Sequence, residues 1–137
     1  MPDELWRLVY VSAASHDLSD AELVDLLDVS RQLNLRDGIT GALAYYDQRF
    51  LQVLEGNELL VEALFQRICH DPRNDSIMTI IQSPVTGRAF EDWSMGWVPE
   101  KELKRAGFGL RMLYSPEASL DMLDELFIAF RKLGRPS

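Results

Sequence analysis

Residues 38–56 read GITGALAYYDQRFLQVLEG and give the clearest indication of the fold class. Two runs rich in apolar and β-forming residues, at positions 39–46 and 49–55, are separated by Asp47 and Gln48. Runs of this length joined by a two-residue turn are typical of a β-hairpin. We therefore predict an antiparallel strand pair near the centre of the chain.

A helix is predicted on each side of this hairpin. Before it, the capping box of Ser19 and Glu22 begins a helix that should run to about Asn34. After it, Asn57 can cap a second helix over residues 58–70. Each segment carries apolar residues at helical spacing, so each helix should bury one face.

Three further strands are predicted toward the two ends of the chain. Residues 5–12 and 77–82 are short apolar runs rich in β-forming residues. Residues 93–97 alternate large and small side chains with period two. One face of that strand is therefore expected to carry Trp93, Met95 and Trp97. The order β-α-β-β-α-β-β predicts an α/β (α+β) fold of ferredoxin-like type, with both helices on one face of the sheet.

The 137 residues predict one compact domain over residues 1–98 and a helical extension over residues 99–137. In the extension, apolar residues recur at helical spacing. They are Leu120, Leu123, Phe127 and Phe130. We expect this amphipathic helix to cover the free face of the sheet or to meet a partner chain.

Charge and composition argue against a nucleic-acid partner, an oxidising compartment and a membrane-spanning segment. The formal net charge of −8 argues against nucleic acid, because phosphate backbones select basic surfaces. The single cysteine, Cys69, can form no internal disulfide, so we expect a protein of the reducing cytoplasm. No apolar run is long enough to cross a bilayer, and residues 1–4 do not resemble the start of a signal peptide.

Catalytic and metal-binding motifs are lacking, but three polar residues stand in apolar surroundings. The sequence has only two histidines and no HExxH, CxxC, GxGxxG or P-loop pattern. Tyr10 and Gln52 lie within predicted buried strands, and Asn34 closes the first helix. Buried polar groups need partners. From spacing alone, a structural Tyr10–Gln52 hydrogen bond between neighbouring strands is the simplest interpretation.

Five segments resemble the BLUF family, the sensors of blue light using FAD. They are RLVYVS at 7–12, NLRDGITGAL at 34–43, FLQVLEG at 50–56, DPR at 71–73 and FEDWSM at 90–95. Together they are spread over roughly residues 5–98, which is most of the chain, and their occurrence in this order is highly specific. The resemblance implies a short, stand-alone photoreceptor of bacterial type with a noncovalently bound flavin. FAD is expected, with FMN or riboflavin as alternatives.

The resemblance also implies roles for individual residues. Tyr10 is expected to donate an electron, and Gln52 to lie between the tyrosine hydroxyl and the N5 and C4-carbonyl edge of the flavin. Asn34 matches the asparagine that binds the C4 carbonyl and N3. Further flavin contacts are expected from Ser30, Leu26, Arg67, Ile68, Asp71 and Arg73. Trp93 and Met95 are the candidates for passing on the signal.

The expected function is light-driven electron and proton transfer among Tyr10, Gln52 and the flavin, followed by a hydrogen-bond rearrangement. No enzyme activity is expected, and output should pass through a homo-oligomer or an unknown downstream protein. One alternative is an acylphosphatase-like hydrolase, but that chemistry needs an arginine in the loop at 13–17, which reads AASHD. Another is a BLUF-like interaction module without flavin, which the joint presence of Tyr10, Asn34 and Gln52 disfavours.

Overall fold

The computed structural model describes residues 5–98, 127, 128 and 130–132. Within them the chain forms seven helices and strands in the predicted order, so the ferredoxin-like pattern is confirmed. The elements are β1 (Leu5–Ala14), α1 (Asp20–Asp37), β2 (Thr40–Tyr46), β3 (Arg49–Asn57), α2 (Glu58–Cys69), β4 (Asn74–Pro84) and β5 (Gly96–Val98). No helix in this described part is long and apolar enough to cross a membrane.

The five strands form one sheet in the order β4-β1-β3-β2-β5. All neighbouring pairs are antiparallel except β2 and β5, which are parallel. The β2–β3 hairpin turns at Asp47 and Gln48, whose φ angles of 50° and 59° suit a tight turn that follows the sheet twist. In the resulting register, Tyr10 of β1 lies opposite Gln52 of β3.

Helix α1 begins and ends through local hydrogen bonds. The Ser19 hydroxyl accepts from the Glu22 amide, and the Glu22 carboxylate accepts from the Ser19 amide, both at 3.2 Å. Gly38, with φ of 67°, closes the helix, and its amide donates to the Asn34 carbonyl. The helix therefore continues to Asp37, three residues beyond the predicted end, because the left-handed glycine and not Asn34 stops it.

Alternation along the strands divides the core between the two faces of the sheet. The helix face carries Leu8, Tyr10, Leu43, Phe50 and Leu54, which pack against helix residues Leu27, Val61 and Phe65. The far face carries Val9, Val11, Ala42, Ala44, Leu51 and Val53. Both helices lie on one side, as predicted.

The expectation that Trp93, Met95 and Trp97 share one strand face is wrong. Trp93 packs on the far face, whereas Met95 and Trp97 belong to the helix-face core. The strand β5 begins only at Gly96, and a turn precedes it in which the Trp93 amide donates to the Phe90 carbonyl at 3.0 Å. Period-two alternation requires extended backbone, so the pattern misleads where the chain bends.

The far face is covered in part by described residues near the end of the chain. Phe130 is buried against the far-face core, and the ring of Phe127 meets Phe90 edge-on at 5.7 Å between centroids. The guanidinium of Arg131 lies 5.0 Å from the centre of the Trp93 ring. The proposed start of the helical extension, including Leu120 and Leu123, lies outside the described residues.

Candidate functional site

A cleft opens between α1 and α2 above the helix face of the sheet. It contains about 480 Å³ of empty space, part of it open to solvent. A concave cleft that combines apolar side chains with converging polar groups is typical of a small-molecule site. Its lining residues are Tyr10, Leu26, Ser30, Leu33, Asn34, Leu43, Phe50, Gln52, Leu64, Ile68, Asp71 and Asn74.

A hydrogen-bonded pair forms the floor of this cleft. The Tyr10 hydroxyl donates to Oε1 of Gln52 at 2.5 Å, and Nε2 of Gln52 donates to the sulfur of Met95 at 3.4 Å. Tyr10 and Gln52 are only 2% and 5% exposed. Burial raises the pKa of the Tyr10 phenol, and the nearby Cys69 and Asp71 raise it further. The phenol therefore keeps its proton throughout the physiological pH range.

Asn34 presents an unsatisfied acceptor at the wall of the cleft. Its side chain is 1% exposed, and Nδ2 donates to the Ser94 carbonyl at 2.6 Å. Its Oδ1 is buried without a hydrogen-bond partner. An orphaned buried acceptor is costly, so this position calls for a donor from a bound molecule. The imide N3–H of a flavin is a donor of the required kind, and the site fits such a ring on this ground.

The outer edge of the cleft is charged. Two nitrogens of the Arg73 guanidinium donate to the Asp71 carboxylate, the closest at 2.6 Å. These hydrogen bonds hold the pKa of Asp71 below its usual value, so the carboxylate is ionised at neutral pH. Next to it, Asn74 accepts from the Ser12 hydroxyl at 2.9 Å and so ties the cleft edge to β1.

Most of the residues singled out in the sequence come together here. Seven line the cleft, namely Tyr10, Leu26, Ser30, Asn34, Gln52, Ile68 and Asp71. Arg73 is not among the lining residues but forms an ion pair with Asp71, which is. Arg67 is exposed on α2. Met95 reaches the site through Gln52. Trp93 lies across the sheet on the far face.

Several lining residues were not identified from the sequence. Leu43 lies opposite Gln52 in the β2–β3 register, and Phe50 precedes Gln52 by two positions, so both share its face. Leu64 lies one helical turn before Ile68. Strand and helix periodicity could have found all three. Asn74 offers no such signal. In the sequence it lies between the second helix and the strand predicted over residues 77–82, whereas in the structure it is the first residue of β4.

No group of histidine, cysteine, aspartate and glutamate side chains in the described part of the chain could hold a metal ion. The buried polar side chains of the cleft are instead the phenol of Tyr10 and the amides of Asn34 and Gln52, which suit hydrogen bonding to a heteroaromatic ring. A sequence model of one family, described as sensors of blue-light using FAD, matches residues 5–96. The chain belongs to the BLUF family. Membership of this family identifies the domain as a blue-light sensor that binds a flavin.

Two relatives contain a BLUF domain similar to this one within much longer proteins. The chain is 35% identical over 94 residues to photoactivated adenylate cyclase subunit alpha of Euglena gracilis, covering 67% of this chain and 9% of the relative. It is 28% identical over 86 residues to the blue light- and temperature-regulated antirepressor BluF of Escherichia coli, covering 63% and 21%. The chain thus spans less than a quarter of the length of each.

Solved BLUF structures of similar size match nearly the whole chain. The dark-state structure of the BLUF protein BlrB has a TM-score of 0.82 and 36% identity, covering 94% of this chain and 98% of that one. BlsA in its photo-activated state has a TM-score of 0.74 and 30% identity, covering 90% and 95%. The described ferredoxin-like fold is therefore shared with these BLUF structures.

Proposed function

We propose that this chain responds to blue light through Tyr10 and Gln52, which report the state of a flavin held in the cleft. The observation that carries the proposal is the buried 2.5 Å hydrogen bond between them at the cleft floor. FAD is the proposed flavin, since the family description names it. FMN and riboflavin carry the same ring system and fit the same ring contacts.

The cleft residues divide into those that would hold the ring and those near its edge. Asn34 would accept from the ring imide through its unpartnered Oδ1. Leu26 and Ile68 come from the two opposite helices and would sandwich the ring. At the periphery, the polar and charged contacts would come from Ser30, Arg67, Asp71 and Arg73.

When bound, the flavin supplies blue-light absorption and an excited state that takes up an electron. Tyr10 is a suitable donor because its neutral phenol already points its proton at Oε1 of Gln52. Loss of an electron would make that proton strongly acidic, and Gln52 is placed to receive it. The glutamine amide has a donor end and an acceptor end. Rotation or tautomerisation would exchange the groups that face the cleft, and Met95 holds the present donor end only weakly, through sulfur.

The signal would leave the site through the residues just before β5. Met95 contacts Gln52 on the helix face, the Ser94 carbonyl accepts from Asn34, and Trp93 packs on the far face. The segment of residues 93–95 therefore contacts both faces of the sheet. Trp93 in turn lies under Arg131 of the terminal helical residues. A change at Gln52 would be passed along this segment to the far face.

We propose output by contact with another protein or with a second copy of the chain, and no enzymatic activity of its own. Support comes from the cyclase relatives, which share with this chain only a segment of about a tenth of their length. The net charge of −8 supports a protein partner over nucleic acid. The exposed, unpaired Cys69 suits a cytoplasmic location.

The absorption spectrum of the purified protein before and after blue light tests the proposal. We expect flavin bands that move slightly to longer wavelength and return in the dark, because hydrogen bonds to the ring change reversibly. Free flavin under the same lamp is the control and should show no such reversible shift. A colourless protein, or a bound flavin that only bleaches, would contradict the proposal.

Asn34→Ala should weaken flavin binding. Loss of the buried acceptor, and of the bond to Ser94 that orients it, should raise the dissociation constant by about tenfold, the usual size for one well-made hydrogen bond. Quenching of flavin fluorescence on titration measures the constant. Gln32→Ala is the matched control, since Gln32 is exposed on the same helix. Equal affinity in the two variants would rule out the role given to Asn34.

A further inference from the structure

Glu55 is a fully buried carboxylate on the far face of the sheet, at 0% exposure. It lies in register between Arg7 of β1 and Thr40 of β2. The Arg7 guanidinium donates to it twice, at 3.0 and 2.8 Å, and the Thr40 hydroxyl donates at 3.3 Å. A buried carboxylate persists only when its oxygens are fully hydrogen-bonded, and these two strands supply part of what Glu55 needs.

The rest comes from the connection between β4 and β5. The Ala89 amide donates to Oε2 of Glu55 at 2.8 Å, and the next amide, that of Phe90, donates to Oε1 at 3.0 Å. Arg7 also donates to the Gly87 carbonyl at 3.1 Å. Two successive backbone amides aimed at one carboxylate fix the path of the loop there. Glu55 therefore anchors residues 87–90 to the centre of the sheet.

The anchored loop leads within five residues to the cleft. The Phe90 carbonyl accepts from the Trp93 amide at 3.0 Å, and the Trp93 carbonyl accepts from the amide of Gly41 at 2.9 Å. The next residues then cross to the helix face, where the Met95 sulfur accepts from Gln52. Glu55 thus holds the start of the segment that carries Met95, whose own carbonyl accepts from Nε of Arg31 at 3.0 Å, although Glu55 and Gln52 lie on opposite faces of the sheet.

We propose that Glu55 is a positioning residue of the light response, which holds the β4–β5 loop from the far face so that Met95 meets the amide of Gln52. The inference rests on the proposed function. Arg7 extends the same anchor to the terminal helical residues, since its guanidinium lies 5.0 Å from the centre of the Phe127 ring. A change in the packing of those helical residues would therefore act on Glu55, the residue that helps to position Met95.

Glu55→Gln tests the proposal in the full chain loaded with flavin. The amide keeps one acceptor oxygen, but its NH2 group must face an N–H of Ala89 or Phe90, so one loop bond is lost. We expect flavin binding and the red shift to persist. Dark recovery should slow by about fivefold, the factor given by one net hydrogen bond, because the Gln52 orientation that Met95 supports becomes less stable. Time-resolved absorbance after blue light measures the rate.

Arg7→Lys is the second variant and carries the test if Glu55→Gln does not fold. Lysine keeps the charge but cannot bridge Glu55 and Gly87 at once, so recovery should slow by a smaller factor. Ile81→Ala is the control, because Ile81 packs on the far-face core and its side chain makes no hydrogen bond to the loop. It should lower thermal stability and leave recovery at the wild-type rate.

Slow recovery in the Glu55 and Arg7 variants, with normal recovery after Ile81→Ala, would support the positioning role. Recovery of Glu55→Gln at the wild-type rate or faster, with a lowered melting temperature, would overturn it and leave Glu55 a purely structural residue. Absence of any light-induced shift in the wild-type protein is a separate result, which would remove the proposed function and this inference with it.

Discussion

Tyr10→Phe should abolish the light-induced red shift while the flavin remains bound. Phenylalanine keeps the ring that packs against Phe65 at 5.6 Å between centroids, so the cleft wall is preserved. It removes the hydroxyl that donates to Gln52 and the only phenol among the cleft-lining residues. Without an electron and a proton to give, the pair cannot rearrange. Gln52 also loses a buried partner, so stability should fall by about 1–3 kcal/mol.

The difference spectrum, light minus dark, measures this effect at equal flavin occupancy. Tyr45→Phe is the matched control. Tyr45 is also a buried tyrosine on the helix face, but its hydroxyl accepts from the Leu18 amide at 3.0 Å and donates to Asp17 at 2.8 Å. That variant should lose stability and keep the shift. A normal shift in Tyr10→Phe would exclude Tyr10 from the photochemistry.

The elements that the sequence predicts well are those specified by local chemistry. The Ser19–Glu22 capping box fixes the start of α1 by two hydrogen bonds between residues three positions apart. The hairpin follows from two runs rich in apolar and β-forming residues around a two-residue turn. Such contacts lie within a few residues along the chain, so composition and periodicity record them. The pairing of Tyr10 with Gln52 could also be predicted from the sequence, because both are polar residues in strands expected to be buried and adjacent.

The segment before β5 could not be predicted because its path depends on distant residues. Trp93 folds back over Gly96, where an added Cβ would lie 1.9 Å from a ring carbon of Trp93, so the bend requires glycine. The loop before it is held by Glu55, more than thirty positions earlier in the chain. From the sequence, Glu55 is an acidic residue at the end of a strand, and nothing near it indicates full burial. Tertiary anchoring overrode the period-two pattern there.

The outer part of the site shows a related limit. The positions of Arg67 and Arg73 in the sequence are equally compatible with contact to a flavin. The structure gives Arg73 a carboxylate partner at the cleft edge and leaves Arg67 exposed. Long charged side chains take their direction from partners and solvent, which residue spacing does not encode. Their roles toward the flavin therefore stay predictions.

Gln52→Leu should bind flavin and fail to form the red-shifted state. Leucine is close to glutamine in size and suits a position that shares the helix face with Phe50 and Leu54, so the strand should remain intact. It has neither a donor nor an acceptor, so the Tyr10 proton has no recipient and no group can change its orientation toward the ring. The Tyr10 hydroxyl is left buried without its partner, which should cost about 1–3 kcal/mol of stability.

The light-minus-dark spectrum checks this prediction, with Gln66→Leu as the control, since Gln66 is exposed on α2. The outcome is most informative beside that of Tyr10→Phe. Loss of the shift in both variants means that donor and relay are each required. If Gln52→Leu kept the shift and Tyr10→Phe lost it, Tyr10 would act on the ring without a relay. The contact between Met95 and Gln52 would then have no part in passing on the signal.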